Sequence, residues 1–199
     1  MTQLPYSQAS ENNKKPVLKV LERVFADRKS VLEIGSGTGQ HATYLATALQ
    51  HLSWQPTDIA AHLPILLPRC QQAATPNLAS PLALDVCLKP WPDLLFDAVF
   101  TANTLHIMSS DSVRALFDSL GDFAHRDVCL AVYGPFNYGG QYSSESNALF
   151  DQWLVERDQA SAIRDFEQVD ALARSAGFML QEDNEMPANN RLLVWRRWG

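Results

Sequence analysis

"SVLEIGSGTGQHATYLA", Ser30 to Ala46, decides how this chain is read. Val31 to Ile34 is a short apolar run interrupted by one acid, Glu33. Glycines follow at alternate positions, Gly35, Gly37 and Gly39. Ala42, Leu45, Ala46 and Leu49 then recur at helical spacing. The order is strand, glycine turn, helix. Glycine admits positive φ and lets a ligand come close to the backbone, and the helix start supplies unpaired N–H donors. The dinucleotide fingerprint is G-x-G-x-x-G, but here the third glycine comes one position early and Gln40 takes the last place. A phosphate loop needs Lys and then Ser or Thr after its last glycine, and no Lys stands there. Glu33, just ahead of the turn, disfavours a pyrophosphate and suits a cationic group.

Outward from this turn, helices and strands alternate. A first helix is expected over about Pro16 to Phe25, with Pro16 in its first turn. Strands are expected at Val31–Ile34, at Leu52–Asp58 (weakened near its end by Pro56), at Leu82–Val86, from Phe96 toward Ile107, and at Asp127–Phe136. Helices are expected at His41–Leu49, at Ala61–Ala73 within the limits set by Pro64 and Pro68, and at Ser112–Ala124. Beyond the Gly- and Ser-rich loop Asn137–Ser144, helices are expected at Ser146–Arg157 and Phe166–Ala176. Asp165 would cap the second with Gln168 three residues on, and Gly177 would stop it. "FMLQEDNEM" and "RLLVWRRW", joined by "PANN", read as an antiparallel closing pair. The pattern is α/β: a seven-stranded, mainly parallel sheet with helices on both faces and an antiparallel final strand. It reads as a single domain over 1–199, with an N-terminal segment and helix (1–29), a cofactor-binding half (30–136) and a substrate-side half (137–199).

Composition narrows the function classes. Hydrophobic residues at 46% and charged residues at 19% are ordinary for a globular chain. A net charge of -6 argues against a polyanion binder, so no nucleic-acid partner is expected. No run reaches about 18 apolar residues, so no membrane span is expected. "MTQLPYSQASENNKK" lacks the apolar centre of a secretory signal, which favours the cytoplasm. Cys70, Cys87 and Cys129 are widely spaced and form no metal-binding pattern, so no metal is expected. Cys87 and Cys129 stand in apolar runs and are expected to be buried packing residues.

Asp58, nineteen residues after Gly39, closes the second strand, where an acid can accept bonds from both hydroxyls of a ribose. That holds for a dinucleotide and for other nucleosides alike. The spacing E-x-G-x-G-x-G, however, resembles motif I of the class I S-adenosylmethionine-dependent methyltransferases. "PYSQASENNKKPVLKVL", "LEIGSGTGQHATYLA", "WQPTD", "NTLHI", "YGPF", "SESNALFDQWL", "IRDFE" and "MPANN" together resemble a widespread, largely uncharacterised methyltransferase-like family shared by bacteria and animals. The resemblance covers almost the whole chain. One departure is Asn12-Asn13, where the family pattern has Arg-Asn.

The resemblance implies a Rossmann-like class I methyltransferase fold and S-adenosylmethionine as cofactor. It places Glu33, Gly35, Gly37, Gly39, Asp58, Asp85, Val86, Asn103 and Leu105 around that cofactor. Asp85 would reach the adenine amino group, the Val86 N–H a ring nitrogen, Asn103 would bond the cofactor and Leu105 would pack on it. His106, Tyr133 and Asn190 are the catalytic candidates, and Tyr6, Asn13, Phe136, Tyr142, Asn147 and Asn189 join them as substrate candidates. Tyr6 and Asn13 would belong to an N-terminal flap over the cofactor. Structural readings stand beside these. His106 can pack at a helix start, Ser144 to Asn147 can cap a helix, and Asn189-Asn190 can form a turn. The expected activity is methyl transfer to a small molecule, with a protein side chain as another acceptor. A non-catalytic binder of S-adenosylmethionine or S-adenosylhomocysteine acting through a protein partner is the alternative. A nicotinamide oxidoreductase is opposed by Glu33 and Gln40.

Overall fold

Strand β1 (Ser30–Ile34) is buried from Val31 onward, as a strand covered on both faces must be. It lies between two parallel neighbours, β2 (Ser53–Asp58) and β4 (Ala98–Ala102). Asp97 sets its start by accepting from the Lys29 and Ser30 N–H groups, both at 2.8 Å. This computed structural model describes residues 4–92, 95–123 and 127–198. With β3 (Leu82–Ala83), β5 (Val128–Gly134), β8 (Met179–Met186) and β9 (Asn190–Arg197), the main sheet has seven strands in the order β3-β2-β1-β4-β5-β9-β8. β9 runs antiparallel to both its neighbours, which bears out the expected antiparallel final strand. The chain divides at Thr101/Ala102 into two units, described in turn.

In the first unit, helix α1 (Gln8–Val24) buries Asn13, Val17 and Leu21 along one stripe. α2 (Gln40–Ala48) buries Ala42, Leu45 and Ala46, as its spacing implies. α3 (Leu63–Ala73) follows a single 3-10 turn. Trp54 and Phe100 are fully buried and meet edge to face at 5.9 Å. Pro56 stays inside β2 and is compatible with it. The N–H of Trp54 bonds Asn77 O and the N–H of Leu84 bonds Asp58 O, both on the outer side of the strand. Pro56 has the same parity, so its missing N–H faces that side, where β3 pairs only with Thr57 and Asp58.

Four expectations are corrected in this unit. α1 begins at Gln8, not near Pro16, because Ser7 caps it by accepting from the Ser10 N–H. Pro16 therefore lies mid-helix, where it removes one backbone bond; burial of the Asn13–Val17–Leu21 stripe keeps the helix continuous. β3 ends at Ala83, so Asp85 stands beyond it. There the Asp85 carboxylate accepts from the Cys87 N–H at 2.9 Å and folds the chain into a turn. Cys87 on that turn is exposed rather than buried.

The second unit centres on β5, buried along its whole length. Leu192 to Trp195 of β9 face it and are buried too. α4 (Ser110–Phe123) contributes Val113, Leu116, Phe117 and Leu120 to the core, and α6 (Phe166–Ser175) contributes Val169 and Ala173. The expected end of α4 at Ala124 lies outside the described residues. α6 stops as expected: Gly177 takes φ +86°, and the Phe178 N–H returns to Ala173 O at 2.9 Å. Asp165 does not cap α6 with its side chain. It remains the N-cap residue, but its Oδ2 accepts from Gln168 Nε2 at 3.3 Å instead of from a backbone N–H. Its backbone, with Arg164, forms a short parallel strand β7 (Arg164–Asp165) against β6 (Phe136–Asn137). That two-stranded ribbon was not foreseen, since two-residue strands carry no periodicity. α5 (Glu145–Arg157) is capped by Ser144, which accepts from the Asn147 N–H at 3.1 Å. No helix among the described residues is long and apolar enough to cross a membrane.

Candidate functional site

All three glycines of the opening turn have positive φ: Gly35 at 70°, Gly37 at 54° and Gly39 at 76°. A Cβ added at Gly37 would meet nothing within 4 Å, so that face of the turn is open to a ligand. At Gly39 it would approach Leu66 Cδ1 to 2.8 Å and Arg69 Cδ to 3.3 Å. Gly39→Ala is therefore expected to combine a left-handed strain with overpacking and to lower stability by about 1–3 kcal/mol. A urea titration of the two proteins, with unchanged slope and a lower midpoint, checks this.

Two carboxylates converge on the turn from β1 and β2. Asp58 Oδ2 accepts from the Gly37 N–H at 2.7 Å. Its Oδ1 accepts from the Ile59 N–H at 2.8 Å and lies 2.9 Å from His62 Nδ1. Asp58 thus joins the tip of β2 to the glycine turn. Glu33 is buried, and its Oε2 accepts from Trp54 Nε1 at 2.7 Å. Burial pushes its carboxyl up to about 7; the bonds from Trp54 and Ser36 oppose this, and the Asp58 charge adds to it. The last carbonyls of β1 are also held from the flanking strands: Thr57 Oγ1 donates to Glu33 O and Thr101 Oγ1 to Ile34 O. Trp54, Thr57 and Thr101 were missed as supports, although "WQPTD" contained the first two. Asp85 is half-buried and Val86 buried, just past β3.

The N-terminal segment is tied to the same turn. The Gln40 side chain pairs with Ser7 as a backbone would, with Oε1 accepting from the Ser7 N–H at 2.5 Å and Nε2 donating to Ser7 O at 3.2 Å. Arg69 donates to Thr38 O at 2.6 Å and to Pro5 O. Asn13 is buried, and its Oδ1 lies 2.5 Å from His41 Nε2. Burial lowers His41 to about 4, so the ring is neutral and donates from Nε2. Tyr6 is 58% exposed.

In the second unit, Asn103 sits in the left-handed region at φ 56° and its N–H donates to Tyr133 O at 2.9 Å. Leu105, His106, Tyr133 and Phe136 are all buried. His106 meets Phe150 edge to face at 5.4 Å. Burial and then the Arg164 charge lower it to about 4, so it is neutral near pH 7. Asn147 is buried and reaches Ser143 Oγ at 2.8 Å and Asn189 O at 3.1 Å. Asn189 takes φ 56° in the hairpin turn, and Asn190 Nδ2 donates to Pro187 O and Ala188 O across that turn. Tyr142 is 48% exposed and donates to Asp151 Oδ2 at 2.8 Å. Asn189 and Asn190 line a cavity of about 480 Å³ with Tyr138, Ser143, Asp183 and Arg191. Tyr138 donates to Asp183 at 2.8 Å, and Arg191 pairs with the same carboxylate at 2.6 Å. Asp183 and Arg191 were not singled out by sequence, since alternating charge on a strand looks like a solvated face.

Residues 4–197 match a family model described as "Protein of unknown function (DUF938)". The chain belongs to this family. Its fold is the class I S-adenosylmethionine-dependent methyltransferase fold, as three solved structures illustrate. An O-methyltransferase family protein from Burkholderia thailandensis matches at a TM-score of 0.79 and 13% identity, over 94% of this chain and 56% of its own. Human N-acetylserotonin methyltransferase in complex with SAM matches at 0.79 and 16% identity, over 96% and 53%. The O-methyltransferase NcsB1 from neocarzinostatin biosynthesis, in complex with SAM and 2-hydroxy-5-methyl naphthoic acid, matches at 0.77 and 15% identity, over 94% and 54%. The DUF938 chain thus spans a little over half the length of these proteins.

Proposed function

We propose that this protein transfers a methyl group from S-adenosylmethionine to a small-molecule acceptor. The observation that carries the reading is the pair of carboxylates on the glycine turn, Glu33 in buried surroundings and Asp58 bonded to the Gly37 N–H. The residues fit the cofactor chemically. Gly37 leaves open space, Asp58 offers acceptor lone pairs to ribose hydroxyls, and buried Glu33 suits an ammonium group. Asp85 and Val86 would serve the adenine, and Asn103 and Leu105 are proposed as further contacts. When bound, the sulfonium supplies an activated methyl group whose leaving group departs neutral. The protein's own task is to align the acceptor and exclude water. Neutral His106 and the Tyr133–Asn147 and Asn189–Asn190 segments are proposed to serve the acceptor. Structural neighbours named as small-molecule methyltransferases, one holding a naphthoic acid, support a small acceptor.

Calorimetry with S-adenosylmethionine, S-adenosylhomocysteine and NADH tests the reading. Binding of the first two at micromolar Kd, no heat with NADH, and methyl transfer to one component of a fractionated metabolite extract are expected. NADH binding without S-adenosylmethionine binding would overturn it. Tight binding without transfer to any fraction would favour a binder acting through a protein partner.

A further inference from the structure

The loop after β4 carries His106, and its backbone has an unusual source of hydrogen bonds. Four consecutive carbonyls, Leu105 to Met108, each accept from the segment Ser161–Arg164. Arg164 Nε donates to Leu105 O at 3.1 Å, and the Ala162 N–H donates to His106 O at 3.1 Å. Ser161 Oγ donates to Ile107 O at 2.9 Å, and Arg164 Nη2 donates to Met108 O. The same guanidinium reaches Ser110 Oγ at 2.9 Å and Ala160 O at 2.8 Å. Arginine serves these acceptors in one fixed geometry, because its N–H donors form a rigid planar fork, where a lysine ammonium would offer a single rotating point of donors. The brace is itself anchored: the Ile163 N–H donates to Asp151 Oδ1 at 2.6 Å, and Arg164–Asp165 pairs with Phe136–Asn137. Asp151 also accepts from Tyr142, so the acceptor-side loop and the His106 loop share one support.

We propose that Arg164, together with Ser161, is a positioning residue for methyl transfer: it moulds the Leu105–Met108 loop and so sets the place of the His106 ring. The proposal rests on the methyltransferase reading for its consequence, but its geometry is independent of it. A loop of this kind has no regular ladder to satisfy its carbonyls; at Leu105 and His106, which are buried, carbonyls require partners, while Ile107 is exposed. Here the partners come from a segment more than fifty residues away in sequence.

The test uses Arg164→Lys, which keeps the charge but loses the fork, and Ser161→Ala, which removes one bond. The His106 ring signal in a histidine-labelled protein, assigned with His106→Gln, is the first readout. In both variants the ring signal is expected to move, and its titration midpoint to rise from about 4 toward the ordinary histidine range. On the acceptor found by the metabolite screen, kcat is expected to fall up to ~100-fold in Arg164→Lys, with KM for S-adenosylmethionine unchanged. Ethylguanidinium added to Arg164→Ala is expected to restore part of the His106 signal. An unmoved His106 ring in both folded variants would overturn the proposal, as would equal losses in kcat and cofactor affinity with the ring unmoved. Failure of the wild-type protein to bind S-adenosylmethionine would instead refute the methyltransferase reading, and the His106 readout would still decide the brace.

Discussion

Asp58→Ala is expected to weaken S-adenosylmethionine and S-adenosylhomocysteine binding by at least about 100-fold. Hydrogen bonds to a charged acceptor contribute ~1.5–3 kcal/mol each, and two ribose hydroxyls would share this one carboxylate. Each ~1.4 kcal/mol is tenfold in affinity, so two bonds at the low end, ~3 kcal/mol together, already cost more than ~100-fold. A second effect adds to it. Asp58 holds the Gly37 N–H at 2.7 Å and the Ile59 N–H at 2.8 Å, so alanine also releases the open face of the turn. Asp58→Asn separates the two contributions. Its side-chain oxygen can keep the Gly37 bond, while its charge is gone and one acceptor becomes a donor. An intermediate affinity in Asp58→Asn is therefore expected by calorimetry, with thermal melts confirming that all three proteins are folded. His62→Ala serves as the neighbouring control, since His62 contacts Asp58 but is half-exposed. Affinity unchanged in Asp58→Ala would move the cofactor away from this turn altogether.

The contrast between Asp58 and its surroundings shows what a sequence displays. The strand, the three-glycine turn and α2 are local in sequence, and each of their rules acts over a few residues. That unit was read correctly from Ser30 to Ala46, and so was the antiparallel closing strand, because eight-residue strands joined by a short Asn-containing turn repeat a clear pattern. Pro16 misled because the start of α1 is set from outside the helix. Gln40, 33 residues on, holds Ser7 at the cap. Asp85 misled in the opposite way: "LALDV" is apolar enough for a five-residue strand, but β2 offers only two partners. Cys87 is exposed for the same reason, since it lies beyond the end of β3. Glu33 was legible as a carboxylate beside the turn, whereas its partner Trp54 is 21 residues away and nothing in either local pattern joins them. The brace on the His106 loop lies further still from local rules, since its carbonyls belong to backbone that any side chains could carry.

Glu33→Gln is expected to stabilise the ligand-free protein above neutral pH while weakening its hold on S-adenosylmethionine. The Glu33 carboxyl stands at about 7 in the fold against an ordinary value of 4.5, chiefly because of burial. The folded protein therefore binds the extra proton between those two values. Glu33's contribution to stability is complete below about 4.5, is lost as pH rises toward 7, and stays lost above it. At ~1.4 kcal/mol per pKa unit the loss is of the order of 3 kcal/mol. Glutamine keeps the acceptor for Trp54 Nε1 and never ionises, so the variant should melt several degrees higher than wild type at pH 8 and lose this part of its pH dependence. Binding reverses the balance. An ammonium group beside Glu33 would hold the carboxylate ionised, so wild-type affinity should drop by up to about tenfold per pH unit below 7. Proton release should accompany binding near neutrality, visible as calorimetric heats that differ between buffers of different ionisation enthalpy. Glutamine has no charge to offer. Removing one partner of a buried charge pair costs ~2–5 kcal/mol, so the variant should bind at least about 30-fold more weakly, with little pH dependence and no proton release. Opposite movements of Tm and affinity are the diagnostic result. A fall in both would make Glu33 a packing residue alone. A rise in Tm with affinity and proton release unchanged would place the aminoacyl end of the cofactor beyond its reach.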